Sequence, residues 1–258
     1  MIDLHCHVLP GIDDGPATLD EALALVRQAG ADGITTIAAT PHVDWTYAVD
    51  AAAVAAGVAE VQAALDAAGI DVRLVAGAEV ALTRAADLSA AELTALRLGG
   101  GPWLLLECPL RPAEAPGFVA GARALARQGH RLLLAHPERS PVFLRAPELL
   151  EELVAEGALA QVTAGALSGV FGSTVRRAAL EFVHAGAVQV VASDGHGPHR
   201  PATIGPHLAA AGIDPSLASW LARDVPAAVL AGAAIPQRPP VPPPGDASRR
   251  SLRRLLGR

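Results

Sequence analysis

The chain has 258 residues, of which 51% are hydrophobic and only 3% aromatic, and its formal net charge is -6 at pH 7. That length accommodates one large α/β domain with a sizeable core, and the negative charge argues against general nucleic-acid affinity. All 20 basic residues are arginine, which excludes a lysine Schiff base and the lysine of a P-loop.

The sequence offers neither a membrane segment nor a disulfide framework. Its N-terminus lacks a basic n-region, and no apolar run approaches the roughly eighteen residues of a membrane span. Cys6 and Cys108 are the two cysteines, and neither belongs to a Cys-x-x-Cys pair. We therefore expect a cytoplasmic protein without membrane insertion, in a reducing compartment.

The chain begins with a short apolar strand that starts at Ile2 and carries His5 and His7 at its end. Side chains two positions apart on a strand share a face, so the two imidazoles form half of a metal site. A turn rich in proline and glycine then holds Asp14. An isolated His-x-His is more often an ordinary polar strand end, so the rest of the chain has to supply the partners.

Strand and helix patterns alternate along the chain. Thr18 and Glu21 have the spacing of a capping box, and we expect the helix that they open to end at Gly30. Apolar and β-branched runs predict the other strands, and Ala-rich or amphipathic runs predict the other helices. The further strands are predicted at residues 34–40, 72–78, 103–106, 131–135, 158–163 and 187–193, and the further helices at residues 50–69, from residue 89, 114–129, 147–157, 173–186, 206–211 and 215–231.

Six of the seven predicted strands end at histidine, glutamate or aspartate. Those residues are His5 with His7, His42, Glu79, Glu107, His136 and Asp194. In a parallel barrel wrapped by helices the C-terminal strand ends meet at one mouth. In a doubly wound open sheet, ligands gather at a switch point instead. The pattern therefore favours a barrel-like α/β architecture over the open sheet.

Nine potential metal ligands would meet at that mouth, five imidazoles and four carboxylates. They are His5, His7, Asp14, His42, Glu79, Glu107, His136, Asp194 and His196. This number exceeds the needs of one ion and suits about three if some carboxylates bridge. Such ligands suit Mn, Fe or Zn acting as Lewis acids, which activate water and stabilise a phosphoryl group. The ligand set predicts metal-assisted phosphoester hydrolysis.

Six segments resemble the polymerase and histidinol phosphatase (PHP) superfamily, and within it the bacterial protein-tyrosine phosphatases of capsule and exopolysaccharide operons. They are residues 3–15 (DLHCHVLPGIDDG), 39–42 (ATPH), 77–79 (GAE), 105–107 (LLE), 135–139 (AHPER) and 192–196 (ASDGH). The first block and the HPER stretch match the phosphatase branch, and the others match the superfamily. The chain departs from the family pattern at residues 43–47 and at Ser140, positions that bear on substrate preference and not on metal binding.

The resemblance implies a distorted seven-stranded (β/α)7 barrel over residues 1–233 and three divalent ions, with Mn favoured and Fe or Zn as alternatives. The implied ligands are His5, His7, Glu79 and Asp194 for the first ion, Glu79, Glu107 and His136 for the second, and Asp14, His42 and His196 for the third. The resemblance also assigns Arg139 and Arg200 to the substrate phosphate, whose oxygens a guanidinium fork fits.

The resemblance further implies a phosphatase that acts on phosphotyrosyl proteins in capsule or exopolysaccharide regulation, with a bacterial tyrosine kinase as partner. A small-molecule phosphatase, such as one for histidinol phosphate, is the alternative enzyme. A non-catalytic metal-binding regulatory module is the alternative of another class. Neither cysteine is followed six positions later by arginine, since Ile12 and Glu114 stand there, so the loop of cysteine-dependent phosphatases is absent. The oligomeric state stays open.

Three residues near the predicted ligands have simpler structural interpretations. Cys6 faces away from the two flanking histidines in a strand, so we expect it to pack in the core. Trp45 and Tyr47 follow His42 in a predicted loop. They either line a substrate pocket or are exposed aromatics without a role, and the second interpretation is the plainer one.

The composition changes at residue 234 to a Pro-rich stretch that is followed by an Arg-rich end. Residues 238–258 carry six arginines and one aspartate, a net charge of +5. This composition is typical of a disordered, solubilising segment and less typical of a docking motif. We therefore expect residues 234–258 to form a disordered tail.

Overall fold

A computed structural model describes residues 1–240 of the chain, and its strands pair in parallel. The strands are β1 (Ile2–Cys6), β2 (Thr36–Ala39), β3 (His42–Val43), β4 (Arg73–Ala76), β5 (Glu79–Ala81), β6 (Trp103–Glu107), β7 (Arg131–Ala135), β8 (Leu159–Thr163) and β9 (Val190–Ala192). They form one sheet in the order β1-β2-β4 and a second in the order β3-β5-β6-β7-β8-β9.

Helices follow most of the strands, as the alternating sequence pattern predicts. They are α1 (Leu19–Ala31), α2 (Ala51–Ala67), α3 (Leu82–Ala85), α4 (Ala90–Ala95), α5 (Phe118–Arg127), α6 (Pro141–Arg145), α7 (Glu148–Ala155), α8 (Ala164–Ser168), α9 (Ser173–Ala185), α10 (Gly205–Ala210), α11 (Pro215–Ser219) and α12 (Val225–Ala231), with short turns of 3-10 helix at Leu98–Gly100, Pro112–Glu114 and Pro137–Arg139 and a π-helical turn at Trp220–Asp224. The sequence pattern does not predict α3, α6 and α8, which are too short to show a helical period. Within residues 1–240, none of the helices is long and apolar enough to cross a bilayer.

The first helix shows how local sequence sets helix ends. The Thr18 side chain accepts a hydrogen bond from Glu21 N, as the predicted capping box requires. The Glu21 carboxylate, however, accepts from Ala17 N, so only half of the box forms. The helix also continues past Gly30 to Ala31. It ends before Gly33, whose φ of 85° lies in the left-handed region that favours glycine.

All seven predicted strands form, and two of them are followed by short strands that the sequence does not predict. The second, predicted at residues 34–40, forms β2, and β3 begins beyond it after Pro41, which has no N–H to donate to a neighbouring strand. The third, predicted at residues 72–78, forms β4, and β5 begins beyond it after Gly77, where a Cβ atom would lie only 2.8 Å from Leu98 Cδ2. β3 and β5 pair with each other, whereas β2 and β4 pair in the other sheet. The pairing defines a mixed α/β fold with two parallel sheets, and a closed seven-stranded barrel stays a prediction.

The end of β1 and the residues after β9 lie side by side. Asp194 N donates to His5 O, and His7 N donates to Gly195 O, both at 2.8 Å. The side chain of Cys6, between the two histidines, is fully buried in the core, as the sequence predicts. The backbone therefore brings three of the predicted ligands to the same end of the fold.

The segment after α12 contacts the domain as far as Arg238. Ile235 contacts the core, the indole N–H of Trp220 donates to Pro236 O at 2.9 Å, and Arg238 donates to Val183 O at 2.8 Å. The sequence analysis did not predict these contacts, because a Pro-rich composition does not reveal which of its groups find partners. Residues 241–258, with the Arg-rich end, lie outside the described residues.

We expect deletion of residues 236–258 to lower the melting temperature. The deletion removes the acceptor of the buried Trp220 indole, and an unpaired buried donor costs about 1 to 3 kcal/mol. A chain of residues 1–240 is the matched control, because it retains every contact described above. Thermal unfolding of the full chain and of both shorter chains provides the comparison. Equal melting temperatures for residues 1–235 and the full chain would contradict the packing of this segment.

Candidate metal centre

The nine residues predicted from the sequence to bind metal come together at one end of the fold, where β1, β6, β7 and β9 end and β3 and β5 begin. Their ligand atoms form four overlapping groups, and within each group these atoms lie within 4.8 Å of one another. The groups are His7, Asp14, His42 and His196; His5, Glu79 and His136; His5, His7 and Asp194; and His42, Glu79 and Glu107. Parallel strands produce this convergence because their C-terminal ends lie at one edge. The binding of ions by these residues stays a prediction.

Glu79, which is buried at the start of β5, lies in the middle of the cluster. Its Oε2 lies 3.1 Å from His42 Nδ1 and 3.2 Å from His5 Nε2. The same oxygen lies 3.4 Å from His7 Nε2, and Oε1 lies 2.7 Å from His136 Nε2. One carboxylate thus faces four imidazoles, which is the position that a bridging carboxylate needs.

Two residues that the sequence analysis did not select orient the histidines of β1. Gln161 Oε1, on β8, lies 2.9 Å from His5 Nδ1, and Asp13 Oδ2 lies 2.6 Å from His7 Nδ1. With Nδ1 as the donor in both rings, both Nε2 atoms carry lone pairs, and these atoms are 3.2 Å apart. Such partners at the far nitrogen are typical of histidines that bind a metal.

The donor set fits divalent cations. Glu79 Oε2 and His42 Nδ1 are both buried and lie 3.1 Å apart. Neither atom has a hydrogen-bond partner among the described residues. Buried polar atoms without partners are rare in folded proteins. Imidazole nitrogens and carboxylate oxygens that converge in this way suit Mn, Fe or Zn.

Burial and the charges of neighbouring groups shift the pKa values of several residues in the cluster. Burial by itself would lower the pKa of His7, but the hydrogen bond with Asp13 and the Glu79 carboxylate outweigh burial and raise the pKa to about 10. Burial, together with the neighbouring Glu79 carboxylate, raises the pKa of Glu107 to about 9. A bound cation would remove the cost of ionising Glu107 beside Glu79.

The grouping differs in detail from the assignment that the family resemblance implies. Glu107 groups with His42 and Glu79, whereas the resemblance joins it to His136. His136 groups with His5 and Glu79. His42 and His5 therefore each lie close to the predicted ligands of two implied ion sites.

Backbone strain is concentrated at two predicted ligands. Within residues 1–240, the non-glycine residues with positive φ are His136 and Asp194, at 39° and 53°. Such a conformation costs roughly 1 to 3 kcal/mol and is held only by its surroundings. His136 N donates to Gln161 O and Asp194 N donates to His5 O, both at 2.8 Å. Hydrogen bonds from neighbouring strands therefore hold both ligands in place.

Arg139 and Arg200, which the resemblance assigns to the substrate phosphate, both contact Asp194. Arg139 Nη1 donates to Asp194 Oδ2 at 2.9 Å, and Arg200 contacts the same oxygen. Burial by itself would raise the pKa of Asp194, but His5 and Arg200 hold it well below its usual range. Both guanidinium groups also lie over the ring of Phe171, at 4.7 Å and 5.9 Å from its centroid. The sequence analysis missed Phe171, because no local pattern links it to the arginines.

The cluster lies at the base of a cavity of about 580 Å³. Residues of the segments after β3, β5 and β6 line the cavity together with both arginines. These lining residues include Trp45, Tyr47, Leu82, Leu110 and Arg111. The cavity therefore connects the predicted metal ligands to the protein surface.

One family model matches most of the chain. The family described as "Capsular polysaccharide synthesis, CpsB/CapC" matches residues 1–211. The chain belongs to the CpsB/CapC family. All nine predicted ligands and both arginines lie within the matched residues.

Several relatives of this CpsB/CapC chain are known. The tyrosine-protein phosphatase YwqE of Bacillus subtilis is 33% identical over 201 residues, which are 76% of this chain and 77% of YwqE. CapC of Staphylococcus aureus is 31% identical over 198 residues, with the same coverage of 76% and 77%. A solved structure described as "Crystal structures of YwqE from Bacillus subtilis and CpsB from Streptococcus pneumoniae, unique metal-dependent tyrosine phosphatases" matches with a TM-score of 0.81 and 29% identity, over 95% of this chain and 100% of that chain.

We expect Asp13→Ala to lower the affinity for metal about 10- to 100-fold, because His7 loses the partner that orients its ring. Asp13→Asn keeps an oxygen near His7 without the charge, so its effect should be smaller. Glu60→Ala is the control, since Glu60 is an exposed carboxylate on α2. Metal content after dialysis against a defined Mn concentration gives the comparison. Equal metal content in Asp13→Ala and Glu60→Ala would remove Asp13 from this role.

Proposed function

We propose that this protein is a metal-dependent protein-tyrosine phosphatase whose nine-residue cluster binds three divalent ions. The convergence of five imidazoles and four carboxylates around Glu79, at the base of one cavity, carries the proposal. The names of YwqE and of the matching solved structure support the activity and the dependence on metal. Mn is the favoured ion, with Fe or Zn as alternatives.

Each part of the cavity has a distinct task in this proposal. Divalent ions in the cluster would polarise the phosphoryl group and make hydroxide available near neutral pH. Gln161 and Asp13 keep the metal-binding histidines of β1 in one orientation. Arg139 and Arg200, held over Phe171, bind the phosphate oxygens and offset the charge that develops on them.

Neither cysteine is suited to act as the nucleophile. Cys6 and Cys108 are both fully buried. Burial raises the pKa of both thiols well above the usual range, and the thiolate is the reactive form. This supports hydroxide as the attacking group and agrees with the absence of the cysteine-dependent phosphatase loop.

We infer that the two sheets belong to one distorted seven-stranded barrel over residues 1–233. The hydrogen bonds from Asp194 N to His5 O and from His7 N to Gly195 O support this inference, because they join β1 to the segment after β9. β2 and β3 are separated along the chain only by Thr40 and Pro41 and lie in different sheets, so this short stretch of chain joins the two sheets.

The biological setting of the proposal comes from the family. The description of the family supports a link to capsule or exopolysaccharide synthesis. We propose a phosphotyrosyl protein as the substrate, a bacterial tyrosine kinase as the protein that carries the phosphotyrosine, and the cytoplasm as the location.

Removal of metal with a chelator should abolish hydrolysis of an aryl phosphate, and added Mn should restore it. The reason is that the cluster supplies no other Lewis acid or nucleophile. Cys108→Ala is the control and should retain metal-dependent turnover if the thiol has no chemical role. Turnover that persists in protein verified to be free of metal would refute the mechanism.

Arg139→Ala and Arg200→Ala should retain their metal while kcat/KM falls roughly ten- to a thousandfold. This range corresponds to ~1.5 to 4 kcal/mol for charged hydrogen bonds to a phosphoryl group. Lysine at either position should restore activity only in part, since it lacks the two-pronged geometry. Arg145→Ala, at an exposed residue that ends α6, is the control.

Metal analysis beside the kinetics separates two roles of these arginines. Loss of metal would make them supports of Asp194, with which both are in contact. Kinetics equal to those of Arg145→Ala would remove them from the site.

A further inference from the structure

We infer that Trp45 and Leu110 form an apolar rim that holds the phenyl ring of phosphotyrosine and favours aryl over alkyl phosphates. This inference rests on the proposed phosphatase function and identifies residues that determine its substrate preference. The name apolar rim refers below to these two side chains at the mouth of the cavity.

Few large hydrophobic side chains are exposed in the described part of the chain. Within residues 1–240 they are Trp45, Leu110, Leu144 and Val170, with exposed fractions of 66%, 37%, 37% and 63%. The two residues of the apolar rim line the cavity above the metal-binding cluster, and the other two do not. Exposed apolar groups at a cavity with convergent polar groups are typical of a ligand site.

The loop that carries Trp45 has a defined conformation. The Asp44 carboxylate accepts hydrogen bonds from Thr46 N at 2.7 Å and from Tyr47 N at 2.6 Å. Asp44 N also donates to Tyr47 O at 3.2 Å. These bonds close a tight turn with Trp45 inside it, so the exposed indole is presented by an ordered backbone.

Two ring contacts fix this loop relative to the cluster. The Arg84 guanidinium lies 5.2 Å from the centroid of the Trp45 ring, a cation–π contact. The Tyr47 ring stacks on the imidazole of His42, with centroids 5.9 Å apart and planes inclined by 13°. Because His42 belongs to the metal-binding cluster, the indole has a set position above the proposed phosphate site. A side chain that is ordered before binding loses little entropy when a ligand arrives.

Leu110 stands on a second stiff loop. It lies three positions after Glu107, the last residue of β6. Pro109 precedes it and Pro112 follows it, and each proline fixes one backbone dihedral. The Leu110 side chain is therefore also presented at small entropic cost.

The positions of the charged base and of the apolar rim correspond to the positions of the phosphate and of the phenyl ring in a phosphotyrosyl side chain. Its base carries the ligands and the two arginines, which match a phosphate dianion. Its outer part carries the apolar rim, which matches a phenyl ring, beside the polar residues Asp44, Thr46, Arg111 and Glu114. Aromatic rings gain binding energy against each other beyond the burial of area. A small alkyl phosphate has no group that would reach this surface.

Steady-state kinetics on the metal-loaded protein test the inference. Trp45→Ala and Leu110→Ala should each raise KM for a phosphotyrosyl peptide about five- to twentyfold, with kcat within about twofold, because the ring is bound equally in the ground and transition states. Inhibition by inorganic phosphate, which has no ring, should be unchanged. Trp45→Phe should keep most of the affinity. Leu144→Ala is the matched control, since Leu144 has the same exposed fraction as Leu110 and lies outside the cavity.

Fluorescence gives a readout that does not depend on turnover. Of the three tryptophans, Trp103 and Trp220 are buried, so acrylamide should quench mainly Trp45. Saturating benzylphosphonate should protect this fluorescence from acrylamide, and saturating inorganic phosphate should not. Trp45→Phe should lose the quenchable component. Equal protection by both compounds, or protection by neither, would overturn the inference.

The two measurements separate failure of the rim from failure of the proposed function. If the metal-loaded protein hydrolyses no phosphate ester, the proposed function fails, and selective protection by benzylphosphonate alone decides whether the rim binds an aryl group. If the protein hydrolyses the peptide but both rim variants behave like Leu144→Ala, the rim is refuted and the phosphatase stands. If both rim variants bind the peptide more weakly but bind benzylphosphonate as well as the control does, the rim contacts neighbouring residues of the peptide. That outcome would overturn the assignment of the rim to the phenyl ring.

Discussion

The structure depends on one buried carboxylate, Glu79, and on the imidazoles that surround it. Burial by itself would raise the pKa of Glu79, but His5 and His136 hold it well below the usual range. A buried charge is costly unless oppositely charged or hydrogen-bonding groups compensate it. The compensating groups come from different strands, so the strand ends must meet at one place.

The contacts behind the cluster keep those strand ends together. The Asp3 carboxylate accepts hydrogen bonds from His5 N, from Ser193 N and from the Ser193 hydroxyl. This buried group ties β1 to the residues that lead to Asp194. Gln161 does the same for β1 and β8 through its bond to His5. Such contacts help the chain to maintain the positive φ angles of two ligands, a conformation that remains costly for residues other than glycine.

Strand ends and loops have separate tasks in this protein. Most of the predicted metal ligands lie in or next to strands, so their positions are tied to the sheets. The walls of the cavity come largely from the segments after β3, β5 and β6, where sequence can change with less disturbance of the sheets. In our proposals the chemistry is therefore set by the sheets and the substrate preference by the loops.

The sequence by itself determined the alternation of strands and helices, the seven strand segments and the candidate ligands at their ends, because apolar periodicity and strand-terminating motifs are local signals. Only the tertiary structure decided that β3 and β5 form separate strands, that Asp13 and Gln161 orient the histidines, and that Ile235 packs on the core. Most of these features depend on contacts between residues distant in the chain; Gln161 and His5, for example, are 156 positions apart. No local pattern records such a contact, since it is the folded sheets that bring the two side chains within hydrogen-bonding distance.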